Sequence, residues 1–489
     1  MDFCCRKKHA YSLNTTAAGF SFLSLSNLLR NLFYCPHSSE WLPPSDSKDD
    51  DGQSEKDFDR HILWFILALL GTVFAVPSVL LNLLLGAFSS MLIQISLVTS
   101  PLFFFIAFIG SFVTMNCPAA LFSLIMCVIG IYYAATVWHK VPFATANLKI
   151  ALASIGDNHG LWIIAYIVTL KSYAWIFLWI CAVMELMIFS PGWIYSYCAA
   201  SDDHNGSDDD CIVSTKGKFI GLGMLLSLFW TSQVVTNIFH TTIAGVVGTW
   251  WFDPQEARSA SARGQGGYFG CCGCSPAIWN SWIRSGFYSL GSIAFGSLLV
   301  GILKVLQFFV RCGRQQRDQQ RRMRGIEGTD FFFCLLQFVV DHLERLLEYI
   351  NVWAFVYVGL YGYDYWTAGK QVAGLFKARG WEVIINDNLV VRSLSMMSLL
   401  ISLVTGLVGL LLGFVFFGPV GALQAFLLGF VLGGSSCQIL FGVVTSAVNT
   451  VVVCFADSPN QLLQNGHDPK HFSELVEAYR KAYPNNCGF

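Results

Sequence analysis

Asn237 and His240 stand in the middle of an otherwise apolar run, Phe229 to Phe252, that is long enough to cross a bilayer. An amide and an imidazole cost free energy in hydrocarbon, so such groups face a bundle interior or a water-filled path. Trp230, Val234, Asn237, Thr241, Gly245 and Gly248 recur at steps of three or four and share one helix face. Two readings fit that face: helix–helix contact through small and hydrogen-bonding residues, or the lining of a transport path. A second constellation lies upstream, where Trp175 and Trp179 are four residues apart and Glu185 follows about two turns on. A carboxylate within an apolar segment serves as counter-ion or proton carrier, or is a protonated and hydrogen-bonded core residue. Aromatic faces attract organic cations through the ring quadrupole. Trp179 and Glu185 are therefore expected opposite Trp230, Asn237, His240 and Thr241, as two walls of one cation path.

The elements that carry these residues are membrane helices. The chain has 489 residues, 54% hydrophobic and only 12% charged, and its mean hydropathy is +0.54. That composition belongs to multi-pass membrane proteins, and a net charge of -1 gives no footing for nucleic acid. Apolar runs at 62–84, 90–113, 117–138, 172–196, 219–251, 284–308, 394–417 and 422–453 each suffice to span the bilayer. The expected fold is all-α, a polytopic transmembrane bundle of about nine to ten helices. Residues 1–60 form a flexible N-terminal tail, 61–455 the transmembrane domain, and 456–489 a cytoplasmic C-terminal tail. Lys171 is expected to snorkel at the cytoplasmic end of the 172–196 span. The stripe Asp341, Glu344, Arg345 and Glu348 suggests an interfacial amphipathic helix over 331–350, with 352–361 dipping into the bundle.

Basic residues set the orientation. His139–Lys149, Arg258–Arg284 and Arg311–Arg324 are read as cytoplasmic, which conflicts with a single crossing by 284–308. Either that segment re-enters, bent at Gly291 or Gly296, or the Arg-rich linker breaks the rule. Cys198 and Cys211 flank an acidic insert with the sequon Asn205-Gly206-Ser207. A bridge between them and a glycan on Asn205 both place loop 197–217 outside. Gly409 with Gly413, and Gly429 with Gly433, give two faces for close packing around the turn at Phe417-Gly418-Pro419, and Gly433–Ser436 is a candidate break in the last helix. No nucleotide loop, zinc-protease motif or nucleophile elbow occurs, and Cys271, Cys272 and Cys274 lack further ligands for a metal. The chain is therefore read as neither an enzyme nor a cofactor protein.

The 229–252 stretch resembles the membrane signature of the choline transporter-like family, which includes the fungal pH-nine-sensitive proteins. Three more blocks agree in order: Tyr288–Leu303, Tyr349–Gly362 and Leu375–Val390, followed by Cys454-Phe-Ala-Asp-Ser-Pro. Together they fall within 219–460, and upstream the likeness is in hydropathy and in Lys140-Val-Pro-Phe-Ala. The large cysteine-rich ectodomain of animal members is absent. The resemblance implies about ten membrane helices, cytoplasmic ends, a plasma-membrane location, and choline, ethanolamine or a related amine as substrate, moved by alternating access among membrane lipids. The competing reading is a non-transporting membrane protein that handles lipids or scaffolds partners.

Overall fold

The computed structural model describes residues 90–115, 117–189, 195–198, 211–213, 215–257, 275–323, 331–379, 389–465 and 469–483. The 1–60 tail, the 62–84 run, Asn205 and the Cys271–Cys274 cluster lie outside these residues. The helices are α1 (Ser90–Val113), α2 (Cys117–Val137), α3 (Val141–Asp157) and α4 (Gly160–Phe189). A ribbon of β1 (Tyr195–Cys198) and β2 (Cys211–Val213) follows. Then come α5 (Thr215–Phe252), α6 (Pro276–Ile283), α7 (Leu290–Met323), α8 (Phe331–Tyr361) and α9 (Tyr365–Arg379). The chain closes with α10 (Leu389–Phe416), α11 (Gly421–Asp457) and α12 (Pro469–Ala482). Among the described residues seven helical segments are long and apolar enough to cross a membrane, and the architecture is an all-α polytopic bundle.

Several boundaries move from where hydropathy puts them. A 3₁₀ turn at Trp138–Lys140 separates α2 from α3. Helix α3 is no second crossing: Phe143 packs on Tyr479 of α12, and Lys149 pairs with Glu474 at 3.2 Å. The C-terminal segment is thus docked, with Leu475, Ala478, Tyr479 and Ala482 buried. Helix α4 starts at Gly160, about three turns earlier than expected, so Lys171 lies within the helix. Its ammonium sits 5.6 Å from the ring centroid of Trp282, a contact that compensates the charge without snorkelling. Helix α11 runs unbroken through Gly433–Ser436, where the Tyr173 hydroxyl bonds Leu432 O, Ser435 and Ser436.

Gly418, at φ 72°, turns the chain between α10 and α11, a conformation that glycine adopts without a steric cost. The two helices then touch backbone to backbone. A Cβ on Gly409 would lie 2.4 Å from Ala425 O, and one on Gly429 would lie 2.7 Å from Thr405 O. The small-residue faces read from sequence are therefore the contact surface of this pair.

Helix α7 is continuous through Gly291 and Gly296, so no re-entrant hairpin forms. It runs antiparallel to α5: Trp230 packs on Gly301, Asn237 bonds Ser297, and Gly245 meets Arg284 just before α7 begins. The start of α5 and the arginine-rich end of α7 therefore emerge at one end of the bundle, together with the β1–β2 ribbon. The opposite end carries α3, α6 and α12. Helix α8 is likewise one 31-residue helix along α7 rather than an interfacial helix with a separate dip. Its charged stripe is paired: Lys304 with Glu348 at 3.0 Å, Arg311 with Asp341 at 3.9 Å, and Gln307 donating to Asp341 and Glu344 at 2.6 Å each. Arg314 donates to Gln337, and Arg317 covers the Phe333 ring. Arg311, Arg314 and Arg317 are thus engaged by α8, whereas the orientation rule describes free loop charges. The expectation that Arg311–Arg324 shares a side with His139–Lys149 is corrected.

This arrangement has a direct readout. Single cysteines replacing Lys216 and Gln315 should react with an impermeant thiol reagent from the same side of intact cells, and one replacing Lys470 only from the other. Labelling of 216 and 315 from opposite sides would break the antiparallel assignment.

Candidate functional site: a polar seam around helix α5

Helix α5 touches α4, α6, α7, α8 and α11, and its polar residues supply the ties. Asn237 Nδ2 donates to Ser297 Oγ on α7 at 2.9 Å. His240 Nε2 lies 3.0 Å from Val352 O on α8, and Nδ1 bonds Ser446 Oγ on α11. A carbonyl only accepts, so Nε2 carries the proton, and Nδ1 of the neutral ring accepts from the Ser446 hydroxyl. One imidazole thereby joins three helices. Thr241 is buried, and its hydroxyl donates to Asn237 O at 2.7 Å. Its own carbonyl faces Gly359 of α8, where a Cβ would come within 2.6 Å. Thr241 therefore marks a close backbone crossing and does not present a free hydroxyl.

Residues that the sequence reading passed over complete the seam. Asn351 of α8 donates to Gly296 O at 3.2 Å and accepts from the Tyr365 hydroxyl. Gly296 is tight against Tyr365 and Phe355, with a Cβ there 2.6 Å from the tyrosine ring. Ser297, Asn351 and Ser446 are all buried. Their signal was present as polar residues inside apolar runs, but hydropathy alone does not say which polar residues meet.

Trp230 sits at the rim of the seam. Its indole donates to Ala294 O at 3.0 Å, and 37% of the residue remains exposed. Trp179 lies elsewhere, 3% exposed, donating to Met224 O at 2.9 Å and packed with Leu225, Leu228, Phe229, Val305 and Phe308. Trp175 joins that cluster with its indole N–H buried and unpartnered. Glu185 is exposed and makes no hydrogen bond or ion pair among the described residues. Because the span covers Gly160–Leu186, Glu185 falls in its last turn rather than its middle. The structure thus brings together Asn237, His240 and Thr241, puts Trp230 on their rim, and leaves Trp179 and Glu185 outside. Cys198 and Cys211 are paired across the ribbon by backbone register. No group of metal-binding residues occurs among the described residues.

The His240 node makes a stability statement. Replacing His240 with Ala strands the buried Ser446 hydroxyl and the Val352 carbonyl, at roughly 1–3 kcal/mol for each unsatisfied group. His240→Ala should lower thermal stability more than Ser446→Ala, and the double variant should cost less than the sum. Additive losses in that cycle would show that the two side chains are not coupled.

Comparison with known proteins places this geometry. A family model described as plasma-membrane choline transporter matches residues 121–460, which contain Trp179, Glu185 and the whole seam. Protein PNS1 of Gibberella zeae is 28% identical over 377 residues, covering 73% of this chain and 63% of that protein. The PNS1 proteins of Candida albicans and Saccharomyces cerevisiae are 25% and 26% identical, over 81% and 70% of this chain. The chain spans less than two thirds of the Gibberella and Saccharomyces proteins, 63% and 60% of their lengths. With that match over more than half its length and its crossing helices in place, the chain belongs to the choline transporter-like family.

Proposed function

We propose that the chain carries choline or a closely related organic cation across the membrane by alternating access, along the α5 face that holds Trp230, Asn237, His240 and Thr241. The observation that carries this reading is His240, a partly buried ring whose two hydrogen bonds tie α5 to α8 and α11. A path through the seam opens only if such bonds exchange, and each is worth about 0.5–1.5 kcal/mol net, a barrier that thermal motion and a ligand's own contacts can cross. Asn237, Ser297 and Asn351 offer exchangeable donors and acceptors for a substrate hydroxyl, and the partly exposed Trp230 ring offers a face to a quaternary ammonium. Trp179 and Glu185 are not assigned to this path. Membership of the family supports transport as the class of activity; the cation and the mechanism are this proposal.

Choline should stabilise the purified protein in a saturable manner and be taken up by proteoliposomes. Trp230→Ala should weaken its binding by roughly 1–2 kcal/mol, the scale of a desolvated cation–π contact, about 5- to 30-fold in Kd. Trp230→Phe should keep part of the affinity. The readout is amine affinity on folded, monodisperse variants. Unchanged affinity in Trp230→Ala would return the residue to packing, and absence of any saturable amine effect in the parent protein would favour the scaffold reading.

The ribbon supports a second part of the proposal, a disulfide between Cys198 and Cys211. Directly opposed residues of antiparallel strands have Cα atoms roughly 4.5–5.5 Å apart, inside the roughly 4.4–6.8 Å range of disulfides. Peptide mass mapping of unreduced protein should recover the linked pair. Two free thiols would refute it.

A further inference from the structure

Between α6 and α7 the chain passes through a single π turn, Arg284–Tyr288, closed by Ser289 N donating to Arg284 O at 2.8 Å. Such turns are frequent at functional sites because the wider ring displaces side chains from the regular helical positions. Here the displaced side chain is Arg284. It reaches between α5 and α8 and donates to Gly359 O. A Cβ on Gly245 would lie 2.8 Å from its Nη2 and 2.7 Å from Ser281 Oγ, so the absence of a side chain there is what admits the guanidinium.

The half-buried Arg284 has five N–H donors and one carbonyl acceptor, with no carboxylate in ion-pair range among the described residues. Glu256, the acid that reaches this region, accepts from Asn280 at 3.3 Å. A charge removed from water without a partner is costly. Arg284 lines a cavity of about 390 Å³ together with Asn280, Ile283, Tyr288, Ser289 and Gly362. The sign is wrong for an organic cation and right for an anion.

The depth of the cavity identifies the anion's source. Gly359 is in the last turn of α8 and Gly362 lies just beyond it, so the cavity is level with a helix end. Trp279, Phe287 and Tyr288 are strongly exposed beside it, as aromatic residues are at the headgroup layer. We infer that this cavity binds the phosphate of an anionic membrane lipid, with Arg284 as the charge partner, Ser289 and Tyr288 as hydroxyl donors, and the acyl chains running past the exposed aromatic rings. The inference is independent of the amine that the seam transports.

Native mass spectrometry in mild detergent tests it, with phosphatidylglycerol, phosphatidylcholine of the same acyl chains, and inorganic phosphate as probes. The parent protein should retain phosphatidylglycerol at least tenfold better than phosphatidylcholine. Arg284→Met should erase that preference, and Arg284→Lys should keep part of it. Ser289→Ala leaves the Arg284–Gly359 contact in place and should weaken retention severalfold, which keeps the test valid if Arg284→Met fails to fold. Equal retention of the two lipids by the parent protein would overturn the site. So would undiminished preference in Ser289→Ala and Arg284→Met together. Displacement of the lipid by inorganic phosphate would overturn the lipid assignment in favour of a soluble phosphate.

Discussion

A polar group buried in hydrocarbon must find its partner inside the protein, and that requirement organises this bundle around α5. Its amide and imidazole reach three neighbours, α7, α8 and α11. Where they do not reach, glycines bring backbones together: Gly245, Gly248 and Gly359 form a crossing of α5 on α8 that side chains would block. Apolar side chains give little preference for one helix neighbour over another in lipid, so hydrogen bonds and close backbone contact choose the partners. Because α5 holds both kinds of residue on adjoining faces, it is the helix against which the others are placed.

Charge is handled by the same logic. Arg311, Arg314 and Arg317 of α7 meet Asp341, Gln337 and Phe333 of α8, so these cations are held by a neighbouring helix. The seam itself is built from neutral dipoles. None of the hydrogen bonds made by Asn237, His240, Ser297, Asn351 or Ser446 involves a carboxylate. A quaternary ammonium would meet an aromatic face and oriented carbonyls there rather than a fixed counter-charge, which favours release as well as capture. Arg284 is half-buried beside α5 at a π turn with no carboxylate in ion-pair range among the described residues, and an anion is the complement inferred for it.

The proposed alternating access would require parts that stay rigid and parts that exchange. The α10–α11 pair, with Gly409 and Gly413 against Ala425 and with Gly429 and Gly433 against Thr405, is tight enough to move as a unit. The His240–Ser446 bond ties this pair to α5 within a shared buried apolar cluster that includes Phe239, Ile243, Phe441 and Val444, and the Tyr173 hydroxyl ties it to α4 through Leu432 O, Ser435 and Ser436.

The sequence determined the class of the protein. Apolar runs of bilayer length, small residues at spacing four and the ordered blocks of 219–460 were legible because membrane insertion acts on local composition and because the seam residues of α5 lie on a single helix. Asn237, His240 and Thr241 could be grouped for that reason. What failed were inferences that needed a second helix. Glu185 looked central only while its helix was started at 172; the true start at Gly160 moves it to the end. Trp179 shares a residue type with Trp230 but faces a different cluster. The stripe on α8 read as a water-facing surface because charge pattern does not reveal that Lys304, Gln307 and Arg311 stand opposite it. Ser297 and Ser446 acquire their roles only from Asn237 and His240, 60 and 206 residues away, Asn351 from Gly296 and Tyr365, and Arg284 from the gap left by Gly245. Local chemistry sets which residues need a partner in the membrane; only the packing of whole helices decides which partner each one gets.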